Sequence, residues 1–397
     1  MLLTNCAACA APLPHRAKQC SRCKTRYCGP ACQKEHWDAA GGHENLCKKI
    51  KKGGGAEQYH ADKKYKEAVA EAVEACRGRH EGQKCYICLE AVHPRTGEGL
   101  VRGCACGDRD GVSSPELGVA HVSCLARQAK ILRQEFEENN LGSETRVVGW
   151  KRWHTCGLCE QQYHGVVRYA LGWACWKTYV GRSEADVVSG LAMAQLGNGL
   201  FAARHYEDAL SVYEAELAMK MRLGAPARQL LVVRGNIANA YFEIGRKDQA
   251  LQMWRDIYSG RLKLLGEEHL ETIRAACNYA SSLAGLQRFE EAKSFLRKTM
   301  PVARRVLGEE HRIALRMRRL YARALYSADG ATLDDLREAV TTIEDVQRTT
   351  RRVFGGAHPL AAKIEDTLKK ARAALHARET PPSDSLEDGD LDDVENA

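Results

Sequence analysis

The chain has 397 residues, of which 44% are hydrophobic and 28% charged, with a formal charge of +8. This composition is ordinary for a globular protein of two or three domains, and no run approaches the ~18 consecutive apolar residues of a membrane span. Met1–Thr4 run straight into Asn5 and Cys6, so no secretory signal is expected. The 17 cysteines are then best read for a reducing compartment, cytoplasmic or nuclear, where thiols hold metal more often than they pair. Fourteen of them stand in closely spaced sets before residue 160, while Cys76, Cys175 and Cys277 stand alone. Fourteen thiolates would remove fourteen charges and four Zn²⁺ ions return eight, which leaves +2 and little ground for nucleic-acid binding.

Residues 1–50 hold Cys6-x2-Cys9, Cys20-x2-Cys23, Cys28-x3-Cys32 and His43-x3-Cys47. Eight soft donors suit two closed tetrahedral zinc sites, because the short spacings let one turn present two sulfurs to one ion. So short a segment cannot fold by burial alone, and zinc would supply roughly 10–16 kcal/mol per site. With Tyr27, Gln33 and Trp37 between the pairs, the segment resembles a MYND finger. The resemblance implies interleaved sites, Cys6, Cys9, Cys28 and Cys32 at one and Cys20, Cys23, His43 and Cys47 at the other. It also implies binding of short proline-containing peptides. His36 is a rival ligand, but only His43 has the x3 spacing to Cys47.

Lysines 48, 49, 51 and 52 lead into Gly53-Gly54-Gly55, which reads as a linker, and Ala56–Cys76 reads as a connecting helix within 51–84. The module at 85–165 has Cys85-x2-Cys88, Cys104-x-Cys106, His121-x2-Cys124 and Cys156-x2-Cys159, again eight donors for two closed sites. This C4HC3 order, with its Cys-x-Cys step, resembles the RING-CH variant of the RING finger. The resemblance implies a cross-brace, Cys85, Cys88, His121 and Cys124 at one ion and Cys104, Cys106, Cys156 and Cys159 at the other. It further implies an apolar patch of Ile87, Trp153 and Leu158 that docks a ubiquitin-conjugating enzyme. Long gaps after Cys106 and Cys124, a helical charged stretch at Ala126–Asn139, and Glu160 in place of a basic residue depart from the family's pattern. His154 and His164 lack paired spacing to a cysteine.

Residues 166–183 carry Trp173, Trp176 and Tyr179 at steps of three, the pattern of a helix that staples the second module to the first repeat helix. From 184 to 378 the chain repeats itself. Leu265-Gly266-Glu267-Glu268-His269 returns 42 residues later as Leu307-Gly308-Glu309-Glu310-His311, and loosely as Phe354-Gly355-Gly356-Ala357-His358. Ala209, Ala250, Ala292 and Ala339 hold nearly the same period, with Tyr213, Trp254 and Leu296 four residues on. One hairpin cannot bury its own apolar face, so such repeats are stable only when stacked. The pattern resembles the tetratricopeptide repeats of kinesin light chains, here four hairpins and a final helix at Pro359–His376. By that resemblance Asn198, Asn236, Asn239 and Asn278, on first helices, line a groove for extended peptides. Basic runs at Arg304-Arg305, Arg316–Arg319 and Arg348–Arg352, with Glu309, Glu310, Glu338 and Asp345 nearby, read as a solvated face. Residues 379–397 hold eight acidic and no basic side chains and are expected to form a disordered tail.

The expected fold class is thus small zinc-stapled modules, a MYND finger and a RING-CH-like cross-brace, followed by an all-α tetratricopeptide-like solenoid. No phosphate loop or Ser/His/Asp set suggests catalytic or small-cofactor residues, and four bound Zn²⁺ are expected. The expected function is a protein-interaction adaptor whose finger holds short peptides and whose repeats hold a second protein. The alternative is a RING-CH-type ubiquitin ligase that uses the same two modules to select substrates.

Overall fold

The computed structural model describes residues 5–14, 16–39, 41–106, 118–139 and 149–380. The N-terminal segment pairs two short antiparallel strands, β1 (Lys18–Gln19) and β2 (Arg26–Tyr27), and adds helices α1 (Pro30–Asp38) and α2 (His43–Lys52). Helix α2 turns Cys47 and Ile50 inward and sets Lys49, Lys51 and Lys52 in its last turn, where cations suit the negative helix end. The three glycines are a tight corner. Gly54 and Gly55 take φ of +86° and +96°, and Ala56 N–H donates to the Cys23 carbonyl at 2.8 Å. Helix α3 (Ala56–Ala75) leaves that corner with Ala56 already buried, so the expected linker packs as part of the finger.

The second constellation surrounds α4 (Val122–Glu138) and runs into α5 (Gly165–Tyr179). Helix α5 is apolar on most of its surface, and such a helix is stable only when covered on several sides. Helix α3 packs on one flank and α6 (Val187–Ala202) on another. At the α5–α6 crossing Gly172 faces Gly199, where an added methyl would lie 2.9–3.0 Å from the partner helix's carbonyl oxygens. A single hydrophobic core therefore runs from Ala61 through the second constellation into Tyr213 and Ile237, and no break in packing falls at residue 184.

The remaining helices are α7 (Tyr206–Arg222), α8 (Ala227–Glu243), α9 (Lys247–Leu265), α10 (Leu270–Gly285), α11 (Phe289–Leu307), α12 (Arg312–Ser327), α13 (Leu333–Phe354) and α14 (Pro359–Glu379). They stack as hairpins α6–α7, α8–α9, α10–α11 and α12–α13, with α14 last. Ala209, Ala250, Ala292 and Ala339 are fully buried where the two helices of a hairpin meet. Tyr213 and Trp254 fit against Gly197 and Gly235 of the facing helices. The Leu-Gly-x-x-His motif is a joint. Gly266, Gly308 and Gly355 adopt φ of +80° to +88° with ψ of 158–171°, a region essentially reserved for glycine. His269, His311 and His358 then cap the next helix, each Nδ1 accepting a backbone N–H two residues on at 3.1–3.2 Å.

The end of the stack comes back to the second constellation. Gln161 Nε2 donates to the Phe354 carbonyl at 3.1 Å, and the rings of His164 and His358 meet edge to face at 6.4 Å. Helix α14 continues through Glu379, which pairs with Arg337 at 3.1 Å; the rest of the expected acidic tail, residues 381–397, lies outside the described residues.

Candidate metal centres

Four groups of side chains converge, each with its donor atoms within 4.8 Å of one another. In the N-terminal segment they are Cys6, Cys9, Cys28 and Cys32, and Cys20, Cys23, His43 and Cys47. In the second constellation they are Cys85, Cys88, His121 and Cys124, and Cys104, Cys106, Cys156 and Cys159. The structure thus brings all sixteen expected ligands together in interleaved sets.

One local device recurs in each Cys-x2-Cys pair. The residue after the second cysteine turns left-handed: Ala10, Lys24, Leu89 and Glu160 have φ of +57°, +67°, +64° and +59°. Its N–H returns to the carbonyl of the first cysteine at 2.8–3.2 Å, so both sulfurs point to one side of a tight turn. In the second constellation the enclosed N–H groups aim at sulfur, Ile87 at Cys85 and Leu158 at Cys156, both at 3.4 Å. Such donors favour thiolate. Burial raises the Cys6 thiol, but the N–H groups of Cys9, Cys28 and Ala8 outweigh it and bring it down to about 6.

Zinc fits this donor set. Tetrahedral coordination at ~2.3 Å per Zn–S bond puts neighbouring sulfurs about 3.8 Å apart. The separations are 3.5 Å for Cys9–Cys28, 3.8 Å for Cys9–Cys32, 3.9 Å for Cys20–Cys47, 3.5 Å for Cys106–Cys156 and a closer 3.2 Å for Cys104–Cys106. These are far above the ~2.0 Å of a disulfide, and every cysteine is a free thiol. His43 directs Nε2 at Cys23 (3.2 Å), whereas His121 directs Nδ1 at Cys88 (3.3 Å) and Cys124 (3.7 Å). The other nitrogen of His121 lies 3.4 Å from the Ala91 carbonyl, the outer contact that fixes a metal-binding imidazole.

Two positions that sequence reasoning passed over support the third and fourth sets. Glu98, nearly buried, accepts from Ser123 N–H at 2.7 Å and Ser123 Oγ at 2.6 Å, and so anchors the start of α4 between His121 and Cys124. Gly118, at φ +81°, packs so tightly that a methyl there would lie 2.7 Å from Cys104 Sγ and 3.0 Å from Cys106 Sγ. Neither has a spacing signature. The rival histidines are engaged elsewhere: His36 bonds Tyr27 Oη at 3.0 Å, His154 bonds Gln195 at 2.8 Å, and His164 meets His358.

The expected docking trio needs correction. Trp153 is 1% exposed and packs edge-on to Tyr179 at 5.8 Å, because α5 draws it into the shared core. Ile87 is half-buried and lines a groove of about 720 Å³ with Arg127, Gln128, Ile131 and Leu132 of α4, while Leu158, 49% exposed, lies outside it. Glu160 is held by Lys151 and by Arg152 at 3.0 Å. Among the groove asparagines, Asn236 and Asn239 are half-buried on α8. Asn198 accepts from Tyr213 Oη at 3.0 Å within its own hairpin, and Asn278, 7% exposed, has a buried Oδ1 without a donor.

Residues 6–47 match the MYND finger family model, and residues 229–300 match a tetratricopeptide repeat model. The second constellation lies outside both spans. Among curated proteins none matches the chain. Among solved structures, TPR-like repeats assigned to a kinesin light chain of Podosopora anserina are 19% identical, covering 58% of this chain and 99% of that one at a TM-score of 0.36. BtubC (BKLC) from P. vanneervenii is 14% identical, covering 69% and 97% at a TM-score of 0.35. The chain carries a MYND finger and tetratricopeptide repeats, two kinds of module that generally mediate contacts between proteins.

Proposed function

We propose that this protein is a zinc-stapled adaptor: the MYND finger holds a short proline-containing peptide while the helical repeats hold a second protein. The observation that carries the reading is the closure of the donor sets. Sixteen protein donors in four tetrads leave no open coordination position of the kind a catalytic zinc keeps. Each set takes one Zn²⁺, four in all, whose role is to hold the fold that presents the binding surfaces. Thiolate ligands of this kind belong in a reducing compartment, cytoplasm or nucleus. Immobilised full-length protein is exposed to a library of proline-containing peptides beside a Cys23→Ala variant. Peptides kept by the native chain and lost by the variant support the finger reading; a retained set indifferent to Cys23 sinks it.

A second reading, a ubiquitin ligase, draws support from the interleaved C4HC3 sets and from Ile87 beside the groove along α4. Such a ligase works by positioning a charged conjugating enzyme and offers no nucleophile of its own. The burial of Trp153 and the paired Glu160 count against it. The protein is incubated with ubiquitin, activating enzyme and a panel of conjugating enzymes. Ubiquitin chains that disappear with Ile87→Ala favour the ligase, and none with any panel member leaves the adaptor. Weak activity gained by Glu160→Arg would identify a module that docks the enzyme without activating it.

A further inference from the structure

The basic run Arg316–Arg319, expected to be a solvated face, divides in the structure. Arg318 reaches Asp345 at 2.7 Å and Glu309 at 3.5 Å. Arg312, Arg316, Arg319 and Arg323 succeed one another on α12 at steps of four, three and four, which sets them along one side of the helix. Among the described residues none of these four has a carboxylate within 4.0 Å, nor do Lys363 on α14 and Arg168 on α5. Arg319 Nη1 lies 3.4 Å from Thr367 Oγ1 of α14, and Arg168 Nη1 lies 3.4 Å from Gln162 Oε1. The Nε atoms of both Arg168 and Arg319 are buried without an acceptor.

These cations bear on one another from several elements. Arg319 is pushed down to about 10 by burial and by Arg316 and Arg323. Arg312 is lowered by burial and by Arg316, Arg168 and Arg274. Lys363 is lowered by burial, by Arg319 and Arg316, and by Arg204, with Glu243 opposing. Helices α5, α12 and α14 thus bring like charge together around the seam where Gln161 and His164 meet Phe354 and His358. Clustered, partly buried cations repel, and an anion among them relieves that repulsion.

We propose that this basic seam binds a carboxylate-rich extended peptide, and that its occupant is the chain's own C-terminal segment, residues 381–397. The segment has seven acidic and no basic side chains, five of them within Glu387–Asp393. From Arg312 to Arg323 the stripe runs about 17 Å along the helix axis. Glu387–Asp393 in extended form covers roughly 20 Å. Lys363 lies sixteen residues before Glu379, roughly 24 Å back along α14, and the eight residues from Glu379 to Glu387 reach up to about 28 Å. The seam is therefore within reach of its own tail, which would occupy it until a competing acidic segment displaced it. The arginine stripe alone carries this proposal, which stands apart from the adaptor and ligase readings.

The test measures fluorescence anisotropy of a labelled peptide of residues 381–397 added to full-length protein. One chain is native; in the other, Glu387→Gln, Asp388→Asn, Asp390→Asn, Asp392→Asn and Asp393→Asn neutralise the tail. The peptide is expected to bind the neutralised chain about tenfold more tightly or better, and to weaken as salt is raised. Adding Arg316→Gln and Arg319→Gln to the neutralised chain should cost about tenfold. Lys363→Gln should weaken binding severalfold. Equal affinity for the native and neutralised chains would mean that the tail is not the occupant. Binding indifferent to Arg316, Arg319 and Lys363 would put the peptide elsewhere. Either result overturns the proposal.

Discussion

Gly118 is the residue on which the Cys104–Cys106 pair of the fourth set depends, since any side chain there meets both sulfurs at contact distances too short to hold. Gly118→Ala should cost one ion of four in native mass spectrometry, with the finger's two retained. His358 makes a pH-dependent claim. Burial first, then His164 and Arg312, lowers its pKa from the ordinary 6.5 to about 4, and its neutral Nδ1 caps α14. The folded pKa lies below the unfolded one, so this contribution is complete above about pH 6.5 and is lost as pH falls through about 4. His358→Asn keeps a capping acceptor but does not titrate. The native chain should lose on the order of 2–3 kcal/mol relative to that variant between pH 6.5 and 4, read from paired denaturant titrations. Metal-site protonation is common to both chains and cancels in the difference. The sixteen converging cysteine and histidine donors were legible in the sequence as short-spaced pairs, because two donors on one turn suit one ion. Glu98 and Gly118 were not, because what they do depends on a carboxylate and a backbone arriving from elsewhere in the fold.

At the scale of elements, the Leu-Gly-x-x-His motif ties two helices through one glycine and one histidine. Gly308→Ala would force a methyl-bearing residue to φ +84° and ψ 159°, at a cost of roughly 1–3 kcal/mol. A thermal melt should show a fall of several degrees, while Gly356→Ala, where an added methyl meets nothing within 4 Å, should leave it nearly unchanged. The repeat helices were readable from a 41–42 residue period, since stacking needs a small residue wherever two helices touch. Trp153 and the glycine corner differ from expectation for a related reason. Spacing to a cysteine said where Trp153 stood in the chain, but α5 and Tyr179 decided that it faces inward.

For the whole molecule, the second constellation and the first repeat share one core, whereas the finger has its own small cluster around Tyr27 and Ile50. Chelation should therefore act unevenly. Stripping metal is expected to unfold the finger outright, since its cluster is too small to stand alone. Helices α8–α14 should keep most of their far-UV circular dichroism signal. Hydrogen exchange after chelation would check this: rapid labelling is expected over residues 5–52 and continued protection in α10 and α12. Equal loss of protection everywhere would mean that the metal sites and the repeats unfold as one unit.

Local chemistry in the sequence was enough to determine the short-spaced donor pairs, the helical period and the split between cysteine-rich and repeat regions, because each is a pattern written over a few dozen neighbouring residues. Only the tertiary structure decided that Trp153 is core, that Arg318 is paired while Arg316 and Arg319 lack an acid, and that the last repeat returns to the second constellation. Those outcomes turn on which distant side chains come within a few ångströms, and separation along the chain carries no record of that.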